Sequence, residues 1–182
     1  MDTYQLKIML AGPGSGGKTA CRLVFTEGKY VKDPLMTLGC DFSVGEVEGS
    51  DYTAKLDLWD LAGKEQFGAV RKHYYNGVHG VVLVFDLTSL ASFGEARKFF
   101  NEEIVPCTQE KPPRCIAVVG NKMDLVDKIV VDDKQIDDFL KEVETALDCN
   151  AFSFKTSAKE MKGVNEMFQA LTKCIISALR TS

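Results

Sequence analysis

The sequence is poor in the features that mark secreted, fibrous, metal-held or membrane proteins. Only 5 of its 182 residues are proline and 15 glycine, so neither a collagen-like repeat nor a Pro- and Gly-rich disordered chain fits. Its six cysteines (Cys21, Cys40, Cys107, Cys115, Cys149, Cys174) include no C-x-x-C pair, and no secretory leader precedes the first apolar segment. All six are therefore expected to be reduced thiols of a cytoplasmic protein. Neither histidine, His73 or His79, has Cys, Asp or Glu at zinc-ligand spacing, so both read as structural or exposed. The longest apolar run, Gly80 to Phe85, falls far short of the ~20 residues of a membrane helix. An excess of positive charge is missing too: the net charge is -4, which gives no broad cationic field for nucleic acid or an anionic membrane. Any phosphate must be gripped locally.

What is present is an ordinary globular composition, 45% hydrophobic and 26% charged, enough for one core and one domain spanning residues 1–182. Leu6 to Ala11 reads as a strand ending in the glycine-rich run Gly12 to Gly17, and helical spacing begins after Lys18-Thr19. Cys40, Phe42 and Val44 alternate with polar residues, as do Ala54, Leu56 and Leu58, with Glu48 to Asp51 as the turn of an antiparallel pair. Val81 to Phe85 and Cys115 to Val119 do not alternate, as in strands covered on both faces. Helical stretches follow at Ser92 to Ile104, Lys134 to Leu147 and Val164 to Leu179, the last with Val164, Met167, Phe168, Leu171 and Ile175 on one stripe. Alternating strands and helices give an α/β fold of the P-loop type: a six-stranded, mostly parallel sheet with one antiparallel edge hairpin, flanked by about five helices.

Chemistry concentrates at strand ends. Gly12 to Thr19 satisfies G-x-x-x-x-G-K-[ST] between a strand and a helix, the context in which that motif binds phosphate. Its backbone N–H groups can converge on phosphate oxygens at a helix N-terminus, Lys18 adds charge, and the Thr19 hydroxyl suits Mg²⁺. The phosphate set is Gly14, Ser15, Gly16, Gly17, Lys18, Thr19 and Ala20. Asp60, at the next strand end, is by itself a turn or cap residue; beside a phosphate loop it is expected to hold the metal. Asn121-Lys122-Met123-Asp124 and Thr156-Ser157-Ala158-Lys159 also close strands, where open α/β sheets bind ligands. A fixed Asp124 carboxylate can accept two bonds from N1 and N2 of guanine, donors that adenine lacks. The Asn121 amide and the Ala158 N–H are expected to face N7 and O6. Lys122, Ser157 and Lys159 complete the base loops. N-K-x-D alone is as readily a solvated turn; the upstream phosphate loop argues for the base site. The Asp132-Asp133 pair opens a helix, where negative charge suits the macrodipole.

In motif order and across Tyr4 to about Leu179 the chain resembles a small GTPase of the Ras superfamily. It is most similar to the Rab branch through Thr37 to Phe42, Leu58 to Phe67 and Tyr74 to Val78. That resemblance implies a guanine-nucleotide switch that binds GTP or GDP with Mg²⁺. It places Thr37 on the metal beside Thr19 and Asp60, puts Thr37 and Gly63 at the γ-phosphate, and sets Tyr30 over the guanine. Residues around Lys32 to Asp41 and Gly63 to Asn76 would be the switches, with Phe42, Trp59 and Tyr74 as an effector surface, although Trp59 also suits a core. Effector, exchange-factor and GTPase-activator proteins are the implied partners, at cytoplasmic faces of endomembranes in vesicle traffic.

Three departures stand out: Lys64 where the family has the glutamine that positions water, Pro34 in place of a switch tyrosine, and the added Gly16. They touch hydrolysis, not binding, so Lys64 is the altered catalytic residue of a slow GTPase. A rival reading is a pseudo-GTPase that holds GTP as an interaction module. A small P-loop kinase ranks last, because Arg22, Arg71, Arg97, Arg114 and Arg180 form no lid-like cluster. The final residues carry no cysteine for prenylation, so membrane contact is expected only indirectly or through a tail absent from this sequence.

Overall fold

In a computed structural model, the structure describes residues 1–62 and 72–181. Six strands form one sheet: β1 Asp2–Ala11, β2 Cys40–Glu48, β3 Tyr52–Leu61, β4 Gly80–Asp86, β5 Cys115–Asn121 and β6 Asn150–Lys155. Their spatial order is β2-β3-β1-β4-β5-β6. Only β2 and β3 pair antiparallel; the other neighbours are parallel, as the mostly parallel sheet with one edge hairpin required. Among the described residues four helices flank it, of the about five expected: α1 Lys18–Glu27, α2 Leu90–Phe99, α3 Asp133–Leu147 and α4 Val164–Arg180. Helix α2 runs on through a π-helical turn at Phe100–Ile104 and an α-turn at Val105–Thr108.

Both faces of the sheet are covered, and the central strands show it. Every residue of β4 and β5 is buried, so neither strand needs polar alternation. Leu6, Ile8, Leu10, Val82, Val84, Ala117 and Val119 point to one side and pack with Met167, Phe168, Leu171 and Ile175 of α4. Met9, Val81, Leu83, Phe85, Ile116 and Val118 point to the other and meet Phe93, Phe139 and Val143 of α2 and α3. Asp132 caps α3: its Oδ1 accepts the Gln135 N–H at 2.8 Å while the Gln135 side chain accepts the Asp132 N–H, which completes a capping box.

One expectation needs correction. Cys115 and Cys174 are joined by a disulfide, so the six cysteines are not all free thiols. The cause is tertiary: α4 packs on the start of β5 and brings the two Cα atoms to 6.2 Å, within bridging range. In the hairpin, Phe42 and Val44 are each 52% exposed. β2 is the sheet's edge, and these two apolar side chains of its alternation stand at the surface.

Candidate functional site

The carboxyl ends of β1, β3, β5 and β6 open onto one cavity of about 610 Å³. It lies where the strand order turns back, with β1 leading to one side and β4 to the other, the crevice in which doubly wound sheets bind ligands. Its phosphate end is Gly14, Ser15, Gly17, Lys18, Thr19 and Ala20; its far end is Asn121, Lys122, Asp124, Ala158 and Lys159; Tyr30 and Thr37 close the side. Asp33, Pro34, Leu35 and Met36, inside the segment read as the first switch, complete this wall with Leu61, Ala62 and Leu125; Leu125 was marked by no motif and arrives by the path of the turn after β5. Gly63 and Lys64 lie outside the described residues.

Gly16 and Ser157, both in the expected set, stand behind the cavity rather than in its lining. A Cβ on Gly16 would sit 2.6 Å from the Val84 carbonyl oxygen, so this glycine lets the loop seat directly on β4. Gly17 has φ 95°, and a Cβ there would lie 2.3 Å from Asn121 Nδ2. Seated this way, the loop lies against Asn121, whose Nδ2 donates to the Gly16 carbonyl at 3.2 Å. Asn121 Oδ1 accepts the Ala158 N–H at 3.1 Å and the Thr156 hydroxyl at 3.1 Å. The Asn121 amide and the Ala158 N–H, both in the cavity wall, thus bond each other. Asn121 acts as a tie between phosphate loop and base loops. Asp124 Oδ1 accepts the Ser157 hydroxyl at 2.6 Å, and a carboxylate with about four acceptor sites keeps capacity for a ligand.

Lys18 is 5% exposed, and its ammonium donates to the carbonyls of Gly12 and Pro13 at 2.9 and 2.8 Å. The charge is thereby held at the mouth of its own loop. Beside it three oxygens converge. Thr19 Oγ1 donates to Asp60 Oδ2 at 2.6 Å and lies 3.1 Å from Thr37 Oγ1, which is 3.5 Å from the same carboxylate oxygen. Asp60 Oδ1 is buried without a hydrogen-bond partner. Burial pushes the Asp60 carboxyl above its usual range, against the Thr19 bond and the charges of Lys18 and Arg22. A buried, under-satisfied carboxylate next to two hydroxyls suits a hard divalent cation, which prefers oxygen ligands. Arg22, one turn along α1 from Thr19, reaches Asp60 and Asp41 at 3.4 Å each and was not singled out from the sequence, although i and i+3 residues share a helix face.

Comparison with known proteins decides what this constellation belongs to. The Ras family profile matches residues 7–177. The chain belongs to the Ras family. Within the family it sits with the Rab and Ypt branch. It is 34% identical over 172 residues to GTP-binding protein YPTM1 of Zea mays, covering 94% of this chain and 78% of that one. It is 34% identical to Ras-related protein RABD2c of Arabidopsis thaliana, over 94% of this chain and 81% of that one. GTP-binding protein ypt1 of Schizosaccharomyces pombe is 33% identical, over 94% and 80%. In this Ras-family chain the aromatic trio is a contiguous surface: Phe42 lies 4.9 Å from Trp59 and Trp59 lies 5.3 Å from Tyr74, between ring centroids. Trp59 also packs on the core beneath. No helix among the described residues is long and apolar enough to cross a membrane.

Proposed function

We propose that the protein is a guanine-nucleotide switch of Rab type that binds GTP and GDP with Mg²⁺ and hydrolyses GTP slowly. The observation that carries this is the single cavity joining the Gly14 to Ala20 loop at one end to Asp124 at the other, with the Thr19, Thr37 and Asp60 oxygens grouped beside its phosphate end. Backbone N–H groups of the loop and the Lys18 ammonium bind the phosphates, since Lys18 can exchange two neutral carbonyls for phosphate oxygens. Thr19, Thr37 and Asp60 would hold Mg²⁺, which when bound neutralises charge on the terminal phosphates. Asp124 selects guanine by accepting N1 and N2 donors, with Ser157 fixing its orientation; Tyr30 covers the base. Thr37 and Gly63 read the γ-phosphate, and the Phe42, Trp59 and Tyr74 surface presents the state to effector proteins in membrane traffic. Titration with labelled GDP and ADP tests the reading. GDP should bind at least a hundredfold tighter, and equal affinities would sink it.

Hydrolysis is set by Lys64. A glutamine can accept from the attacking water and donate to the phosphate, whereas an ammonium only donates, on a flexible stem. Losing the water's acceptor costs more than the added charge returns, because in-line positioning dominates this chemistry. Single-turnover hydrolysis of preloaded GTP should speed up roughly tenfold or more in Lys64→Gln. A wild-type rate equal to or above the variant's would show lysine to be a competent replacement. No measurable wild-type turnover with tight GTP binding would favour the pseudo-GTPase reading, in which the protein is a GTP-held interaction module.

A further inference from the structure

Asp86, the last residue of β4, belongs to no motif read from the sequence. In the parallel ladder it pairs with Asn121, which places it one residue away, across the strands, from Lys122. Its Oδ2 accepts the Lys122 ammonium at 2.6 Å. Its Oδ1 accepts the Thr88 N–H at 2.8 Å and the Thr88 hydroxyl at 2.7 Å, and its own N–H donates to Ser92 Oγ at 3.0 Å. Both carboxylate oxygens are thus committed, on a side chain 10% exposed against 37% for Lys122. Burial opposes its charge, but the bonds from Lys122 and Thr88 outweigh that and hold Asp86 below the usual carboxylate range. Lys122 itself has φ 68°, a left-handed backbone rare for a residue with a long side chain, and it lines the base end of the cavity.

We propose that Asp86 is a positioning residue for nucleotide retention, anchoring Lys122 so that its stem stands preset at the base end of the nucleotide cavity. The proposal rests on the guanine-nucleotide reading above. A lysine stem that must be ordered when the ligand arrives loses rotamer freedom at that moment. A carboxylate that has already fixed the ammonium removes this loss from the binding step, and so slows release. The Asp86 carboxylate bonds Lys122 and Thr88, whereas Asp124 bonds Ser157, so Asp86 acts on residence time and not on base choice.

The test is a double-mutant cycle on release of labelled GDP, with unlabelled IDP, which lacks the N2 donor, as the base-choice control. Asp86→Asn keeps the shape and an acceptor for Thr88 and should release GDP roughly tenfold faster, the scale of one charge-assisted bond. In a Lys122→Met background the same change should add less than about twofold, because the partner through which it acts is gone. The GDP-to-IDP preference should stay as in the wild type. Unchanged release in Asp86→Asn, a full tenfold added in the Lys122→Met background, or an altered GDP-to-IDP preference would each overturn the proposal. If Asp86→Asn melts below the assay temperature, Asp86→Glu, whose longer arm displaces the ammonium contact while keeping charge, reads the same coupling. Wild-type protein that binds no guanine nucleotide overturns the functional reading and this inference together; wild-type binding with an additive cycle overturns this inference alone.

Discussion

Thr19, Asp60 and Asp124 each do something their residue type does best, and each is held by a neighbour that fixes how. The Ser157 hydroxyl on Asp124 Oδ1 keeps the carboxylate in one rotamer while leaving it net acceptor capacity. Asp124→Asn should therefore weaken GDP binding tenfold to a hundredfold, since one guanine donor loses its acceptor at roughly 1–3 kcal/mol. The same variant should prefer XDP, whose C2 oxygen accepts from the new amide. Competition between GDP and XDP measures it, and an unchanged preference would remove Asp124 from the base site. Residues of this kind were legible in the sequence because their chemistry is local: glycines, Lys18 and Thr19 within one loop, or Asn121 and Asp124 within one turn. Asp86 and Arg22 were not. Their partners lie 36 and 38 positions away, and a lone Asp after an apolar strand or a lone Arg on a helix gives no sign of whom it will meet. Asn121 was read as a candidate base residue but not as a tie, because that role depends on how closely Gly16 and Gly17 let two loops approach.

Strands and helices show the same division between local and non-local causes. Period and apolar content sufficed to find the central strands. The start of β1 at Asp2 instead of Leu6 was hidden, because Asp2 to Gln5 are drawn into the sheet by β3, with Asp2 opposite Tyr52. His79 is a further case. Its N–H donates to the Lys7 carbonyl at 2.9 Å, its Nδ1 accepts the Lys7 N–H at 2.9 Å, and its carbonyl accepts the Arg114 N–H at 2.8 Å. One residue thus stitches the approaches to β1, β4 and β5. Nδ1 can accept only while unprotonated, and burial, with the charges of Arg114 and Lys7, pushes the His79 imidazolium below its ordinary 6.5. The unfolded chain takes up this proton first as pH falls. Stability from His79 is therefore present above the ordinary value of about 6.5 and is lost as the pH falls below it through the lower folded value. Melting temperatures from pH 7.5 to 5.5 should fall more in the wild type than in His79→Asn, whose amide oxygen can take the Lys7 N–H and does not titrate. Parallel curves for the two proteins would show that the histidine stays uncoupled from folding.

For the molecule as a whole, one covalent link spans the half that carries base recognition. The Cys115 to Cys174 disulfide joins the first residue of β5 to the middle of α4, and the 59-residue separation encloses Asn121, Lys122, Asp124, Ser157, Ala158 and Lys159. No sequence spacing announces it, since the pair forms only after α4 docks across the sheet. The other cysteines are poorly suited to compete for it. Burial pushes the Cys21 thiol up to about 12 and those of Cys40 and Cys149 up to about 11, and it raises Cys107 as well, so none is a ready thiolate for exchange. Closing a loop of this length restricts the unfolded chain by an amount worth about 4 kcal/mol. At two to four degrees per kcal/mol for a chain of this size, reduction should lower Tm by about 10 °C. Alkylation of the folded, non-reduced protein followed by peptide mass mapping should find Cys115 and Cys174 linked. Cys174→Ser should melt where the reduced wild type does, and adding reductant to it should change nothing further. Equal melting of the wild type with and without reductant would mean that α4 is held on β5 by packing alone, through Met167, Phe168, Leu171 and Ile175. A lower Tm in reductant without loss of GDP affinity would place the link in the stability of this half and leave the geometry of the site to the Asn121 tie.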